Sequence, residues 1–348
     1  MTRDIFSTGK IFRHGDTLRA WLDGKNPFPV TVEIDPCGAC NSHCPRCVGG
    51  ERRGRLPVSV AVRVMAELSS GGTRGIIFTG GGEPTLHSDL PVFLRAACQF
   101  GMDVGLITNG LFLTDELRTA IARYCTWVRV SLDAGNPIDY GLSHGGSDDE
   151  FHRVVENIEL LATAPKCPTV GVGVLVEDAT LASIPQTAEL CRDAGADYVQ
   201  FRPYYYGWYG DTSEGLDIPR YRQQYQKAKG YEQPGFRVLQ STVKFDKMEH
   251  EDLERHYLAC WGQQFCGVIT ATGDVALCCQ LRGDPKFVLG NILHDTFTNV
   301  WNGPRRWEVL ASLDMDRDCP PLCRCDHINE SLQDYRDKMI DLEHENFL

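Results

Sequence analysis

The sequence predicts an α/β fold: a partial, TIM-like (β/α)6 barrel followed by a small Cys-rich C-terminal domain. Three observations carry this. Short β-branched runs alternate with amphipathic stretches through the first two thirds of the 348 residues, the pattern of βα units wrapped on a parallel sheet. Six such units can be counted, fewer than the eight of a closed barrel, so the barrel is expected to be open. Seven of the 15 cysteines fall between Cys260 and Cys325, where short strands and Gly turns replace the alternation. The expected division is an N-terminal extension over 1–29, the barrel over 30–239 and the Cys-rich domain over 240–348.

The strands expected in order are Thr31 to Asp35, Gly75 to Thr79, Asp103 to Thr108, Trp127 to Leu132, Thr169 to Val176 and Tyr198 to Phe201. Two of the intervening helices announce their starts. Thr114 precedes Asp115 to Tyr124, and Ser147 with Glu150 three residues on forms a capping box ahead of Phe151 to Leu161. Beyond a turn-rich segment, Gly207 to Gly215, a polar helix is expected over Tyr221 to Tyr231. A last helix, Ile328 to Glu345, should turn its mixed charges to water.

Composition narrows the function. Lys+Arg 35 against Asp+Glu 47 gives a net charge of −12, which disfavours nucleic acid and other polyanions as partners. No signal peptide opens the chain and no apolar run approaches the roughly 20 residues of a membrane span, so a cytoplasmic location is expected. An odd count of cysteines without export signals favours metal binding or catalysis over disulfides. Cys98, Cys125, Cys167 and Cys191 stand singly and are expected to be small buried hydrophobes.

Chemistry concentrates in two groups. Directly after the first strand, Cys40-x3-Cys44-x2-Cys47 places three thiols on one short loop. Three ligands leave one metal position open to a substrate, whereas Cys37 as a fourth would close a structural zinc site, which the spacing also permits. Gly81-Gly82-Glu83-Pro84 follows the second strand, Ile107-Thr108-Asn109-Gly110 ends the third, and Arg129-Val130-Ser131-Leu132-Asp133 lies on the fourth.

In that order, these motifs resemble the core of radical S-adenosylmethionine (radical SAM) enzymes over roughly Thr31 to Tyr205. The resemblance implies a [4Fe–4S] cluster on Cys40, Cys44 and Cys47 whose unique iron is chelated by S-adenosylmethionine, with a flavodoxin- or ferredoxin-type reductant as partner. Gly81 and Gly82 would let backbone approach the cofactor, Glu83 would accept from its ammonium, and Asn109, Ser131 and Asp133 would meet its ribose and carboxylate. Capping of backbone groups is the competing role for Asn109, which stands before Gly110. His14 and His144 each precede a Gly in a polar segment and are expected at the surface.

The second group, Cys260-x17-Cys278 with Gly273, then Cys319-x3-Cys323-x-Cys325, resembles the SPASM or twitch extension of such enzymes. That implies an auxiliary [4Fe–4S] cluster, here one, on Cys260, Cys278, Cys319 and Cys323. Cys325 could replace Cys319 and Cys266 could replace Cys260, and a structural zinc is compatible with the spacing. Between the two groups, strand alternation sends Gln200, Arg202 and Tyr204 to one face, with Arg202 expected to hold an anionic or hydroxylated group, or else to stack on Tyr rings. Cys266 is the expected hydrogen-atom donor if the reaction inverts a carbon.

The expected reaction is hydrogen abstraction from a small polar molecule, a polyol, aminocyclitol or amino sugar, and its oxidation by electron transfer to the auxiliary cluster. About 30 residues precede the first strand, too few for a leader-binding domain, and the acidic balance favours a cationic substrate. Epimerisation and peptide maturation are the alternatives, and a non-catalytic metal-binding role is the least favoured.

Overall fold

The computed structural model describes residues 8–47, 53–165, 168–205 and 215–340. The six expected strands form as β1 (Thr31–Ile34), β2 (Gly75–Phe78), β3 (Asp103–Thr108), β4 (Trp127–Ser131), β5 (Thr169–Val176) and β6 (Tyr198–Pro203). Each pairs in parallel with the next, and the helices between them cover the outer face. Val32, Ile34, Ile76, Phe78, Val104, Leu106, Val128, Val130, Val170, Val172 and Val199 are fully or almost fully buried against those helices. Alternation therefore leaves Glu33, Arg129 and Arg202 on the opposite, concave face. Arg129 on β4 interacts electrostatically with Glu33 on β1, although β2 and β3 lie between them in the sheet. Such an encounter requires the sheet to curl, as a partial barrel does.

Local signals set the helices as expected. Thr114 accepts from Leu117 N at the start of helix Asp115–Tyr124, and Ser147 and Glu150 close a capping box on helix Asp148–Ala162. Helix Ile218–Lys229 starts three residues earlier than its apolar pattern suggests, because Asp217 caps Arg220 N and Pro219 suits the first turn.

Two strand relationships lie beyond the sequence signals. β7 (Arg237–Gln240) adds in parallel to β6, a four-residue strand too short to show a period. On the other side, β8 (Cys266–Ile269) pairs in parallel with β1, and β9 (Asp274–Ala276) and β10 (Val288–Asn291) follow antiparallel. The Cys-rich region thus continues the barrel sheet, in the order β10-β9-β8-β1-β2-β3-β4-β5-β6-β7. The last helix, Asp326–Ile340, buries Asn329, Leu332 and Gln333 and is more than a solvated surface. Asn329 Oδ1 accepts from Gly262 N at 2.6 Å, and Gln333 Oε1 from Leu258 N and the Trp261 indole, which fixes the Cys260 loop. Cys125 and Cys191 are buried as expected, but Cys98 is exposed on helix Leu90–Gln99. Cys167, Tyr206, most of the Gly207 to Gly215 segment and the end of the last helix lie outside the described residues.

Candidate functional site

The loop after β1 carries the first thiols. Cys40 and Cys44 are half-buried, Cys47 is exposed, and Ser42 N points at Cys40 Sγ from 3.4 Å. Cys37 is different. It is 1% exposed, its thiol donates to the Glu83 carbonyl at 3.2 Å, and burial pushes its pKa up, which suits a neutral packed thiol more than a metal ligand.

The Gly-rich loop after β2 docks on this loop. Glu83 N donates to Ala39 O at 2.8 Å, and a Cβ at Gly82 would lie 2.5 Å from the Gly38 carbonyl, so only glycine lets the two backbones meet. Gly81 N donates to Asp35 Oδ2 at 3.2 Å. Glu83, expected as the acceptor for a cofactor ammonium, instead commits its carboxylate to the chain. Oε1 accepts from Thr85 N, Thr85 Oγ1 and Thr108 Oγ1, and Oε2 from Asn109 N at 2.7 Å. Burial pushes its pKa up while these four hydrogen bonds oppose. Asn109 takes the capping role: Oδ1 accepts from Leu111 N, and Nδ2 donates to Asn41 Oδ1 at 2.8 Å, tying the end of β3 to the cysteine loop.

At the end of β4, Ser131 keeps a hydroxyl without a partner among the described residues, while Asp133 turns each carboxylate oxygen to a neighbour. It adopts φ +56°, a left-handed conformation that Asp tolerates better than most residues. Its Oδ1 accepts from Leu175 N at 2.5 Å and its Oδ2 stands 3.0 Å from His144 Nε2. His144 was expected at the surface, but it is 3% exposed, with Nδ1 3.2 Å from Cys44 Sγ. Burial lowers its pKa, but Asp133 and Cys44 prevail and raise it to about 10; burial raises that of Cys44 and His144 overcomes it. The sequence signal available was only the position of His144 at the end of a short helix, Pro137–His144, which Gly145 terminates at φ +66°.

The concave face holds a charge network that spacing did not reveal. Glu33 pairs with Arg282 at 2.8 Å and with Arg324; burial works to raise its pKa, and the two guanidiniums bring it below the usual carboxylate value. Asp35, one inward step further along, is pushed up to about 6 by burial, which the Arg282 Nε 3.3 Å away only partly offsets. Its Oδ1 is buried and has no hydrogen-bond partner among the described residues. Asp35, Gly81, Arg53, Arg282 and Thr272 line a cavity of about 790 Å³ between the barrel mouth and the β9–β10 hairpin. Arg129 and Arg202 both reach over Gly173, where a Cβ would come within 3.3 Å of each side chain. Their Nε atoms, and Gln200 Oε1, are buried without hydrogen-bond partners among the described residues. Burial, then the Arg202 charge, brings the Arg129 pKa down to about 9. The guanidinium over the Tyr204 ring is that of Arg46, 4.9 Å away.

In the C-terminal region, burial and neighbouring thiols act together. Burial first, then Cys323, raises Cys260 to about 11; burial, then Cys260 and Cys323, raises Cys319 to about 12. Cys278 feels Cys323 and Cys260 in addition to Cys279. Cys260 and Cys323 therefore lie near each other and near both Cys278 and Cys319. Cys325 is also close, its N–H pointing at Cys323 Sγ from 3.4 Å, and its neighbours include Cys266 and Cys260. Cys279 interacts with Arg324 and Glu33 on the concave face as well as with Cys323. Cys266 opens β8 beside Thr31, at the end of the sheet away from the Cys40 loop.

Both thiol sets have the donor chemistry of iron–sulfur sites: free cysteines on two separate segments, with Cys37 hydrogen-bonded away from the first set. No three His, Cys, Asp or Glu side chains among the described residues converge as tightly as one metal ion requires, and a four-iron cubane spaces its thiolates more widely. No described helix is long and apolar enough to cross a membrane.

Residues 34–191 match the Radical SAM superfamily, and residues 260–326 an iron-sulfur cluster-binding domain, SPASM. The chain is similar to the antilisterial bacteriocin subtilosin biosynthesis protein AlbA of Bacillus subtilis, 25% identical over 83% of this chain and 64% of AlbA, so it spans less than two thirds of that relative. It is 27% identical to the mycofactocin maturase MftC of Mycobacterium tuberculosis over 81% of this chain and 72% of MftC. SuiB of Streptococcus suis, solved bound to the precursor peptide SuiA, shares the fold with a TM-score of 0.67 at 16% identity, covering 90% of this chain and 74% of SuiB.

Proposed function

We propose that the chain is a radical SAM enzyme that modifies a peptide, holding a substrate carboxylate inside the barrel; the matches of residues 34–191 to the Radical SAM superfamily and of 260–326 to the SPASM domain support the enzyme class. The likeness to AlbA and MftC along more than four fifths of the chain is the observation that carries the peptide reading. It takes precedence over the polyol or amino sugar expected from composition. A net charge of −12 describes the outer surface, while Arg129 and Arg202 face inward with unpartnered Nε atoms, an arrangement that favours an anion.

When bound, the cluster and S-adenosylmethionine supply hydrogen-atom abstraction, and an auxiliary cluster supplies an acceptor for one electron. The residues assigned to hold them are Cys40, Cys44 and Cys47, and Cys260, Cys278, Cys319 and Cys323. Gly81 and Ser131, at the barrel mouth, are assigned to the cofactor side. Arg129 and Arg202 orient the substrate. Asp35, which lines the cavity and has a pKa of about 6, is the group assigned to take the proton that an oxidation releases. Cys266 is the assigned thiol for an inversion, though it sits at the far end of the sheet.

The test is a label transfer. A perdeuterated cell extract is split into peptide-retaining and small-molecule fractions and given to the reconstituted enzyme. Deuterium reaching 5′-deoxyadenosine from the peptide fraction alone supports the reading, and label from the small-molecule fraction alone overturns it. For a perdeuterated substrate, oxidation removes the abstracted deuterium and a second hydrogen, a loss of at least three mass units, whereas inversion in water exchanges one deuterium for solvent hydrogen, a loss of one.

A further inference from the structure

We propose that His144, held by Asp133, is a positioning residue that donates a hydrogen bond from Nδ1 to the Cys44 sulfur and thereby raises the reduction potential of the cluster on Cys40, Cys44 and Cys47. The inference rests on that ligand set, assigned above. Three separate features place the imidazole. The helix Pro137–His144 is capped at its start by Asn136, and its other end packs on the cysteine loop so tightly that a Cβ at Gly145 would stand 3.0 Å from His43 O. The Tyr140 ring stacks on the imidazole with centroids 4.9 Å apart and 19° between planes, which fixes the ring plane. Asp133 Oδ2 lies 3.0 Å from Nε2, an ion-pair contact without hydrogen-bond alignment, and Asp133 is itself pinned by Leu175 N.

The chemistry follows from the donor inventory. A metal-bound thiolate and a carboxylate are both acceptors, so the nitrogen facing Cys44 Sγ at 3.2 Å can interact favourably only by donating. An N–H···S bond draws electron density from the sulfur. Reduction adds negative charge to the cluster, so such a bond stabilises the reduced form more than the oxidised one and raises the potential. Asp133 orients the donor, the role a carboxylate has behind a histidine in many metal sites. In its left-handed conformation Asp133 turns one carboxylate oxygen to β5 and the other to His144.

The experiment is an EPR-monitored redox titration of the reconstituted full chain, reading the cluster whose signal and iron disappear when Cys40, Cys44 and Cys47 are replaced by Ala. Retention of all iron in that triple variant would refute the ligand set, independently of His144. With the ligand set intact, His144→Phe, which keeps a ring and removes the donor, should still load four irons while the reduction equilibrium becomes about tenfold less favourable, about 59 mV lower for one electron. His144→Gln, which retains an N–H donor, should restore most of the shift. Asp133→Asn should lower the potential by a smaller amount, because asparagine accepts the same backbone conformation but turns an NH2 toward Nε2. Should His144→Phe fail to load iron, Asp133→Asn decides. An unchanged potential in the variants that load the cluster overturns the proposal.

Discussion

At the scale of single residues, two buried carboxylates carry distinct predictions. Glu83 accepts four hydrogen bonds that join the Gly-rich loop to the end of β3. Glu83→Ala should therefore destabilise the apoprotein by about 3 kcal/mol or more, since it strips a charged acceptor from buried donors. An unchanged urea midpoint would return Glu83 to the cofactor pocket. Asp35 has a raised pKa, about 6 in place of 3.8. Between those values the folded chain holds a proton that the unfolded chain has released. Its contribution to stability is thus complete below about pH 4 and is lost as pH rises through about 6, by roughly 2–3 kcal/mol. Asp35→Asn should flatten that part of the stability profile, measured by urea unfolding of apoprotein from pH 4 to pH 7. A profile that keeps its slope in the variant would show that another group titrates there.

At the scale of elements, the cysteine loop and the Gly-rich loop act as one unit because Gly82 lets their backbones touch. Gly82→Ala must separate them, as the new Cβ meets the Gly38 carbonyl at 2.5 Å. A cost of about 1–3 kcal/mol is expected, typical of overpacking, together with weaker loading of the first cluster. Iron content per chain and the thermal midpoint read the two effects, and full loading at the wild-type midpoint would contradict the packing argument. Element boundaries were legible wherever the determinant is local. Helix Asp115–Tyr124 and the capping box at Ser147 were read correctly because a cap acts within three residues. The four-residue strand β7 was missed because its only partner is β6, and four residues carry no period.

At the scale of the whole molecule, β8 pairs with β1 over four residues, and Arg282 and Arg324 reach back to Glu33 on the same strand. Barrel and Cys-rich region should consequently unfold together. Far-UV circular dichroism and tryptophan fluorescence, with Trp127 in the barrel and Trp261 and Trp301 beyond it, should trace one coincident transition in the apoprotein. Glu33→Gln leaves two guanidiniums with a weaker partner and should lower that transition by about 3 kcal/mol; two separate transitions in the wild type would show the coupling to be weak. The sequence by itself determined the order of the six parallel strands, the cysteine spacings and the family they point to, because periodicity, caps and short motifs act over a few residues. Tertiary structure alone decided what those residues touch. His144 meets Cys44 across 100 positions, Arg324 meets Glu33 across 291, and Glu83 clamps the Gly-rich loop to the end of β3. Each of these contacts forms when the curled sheet brings distant strand ends together, and chain spacing carries no record of that closure.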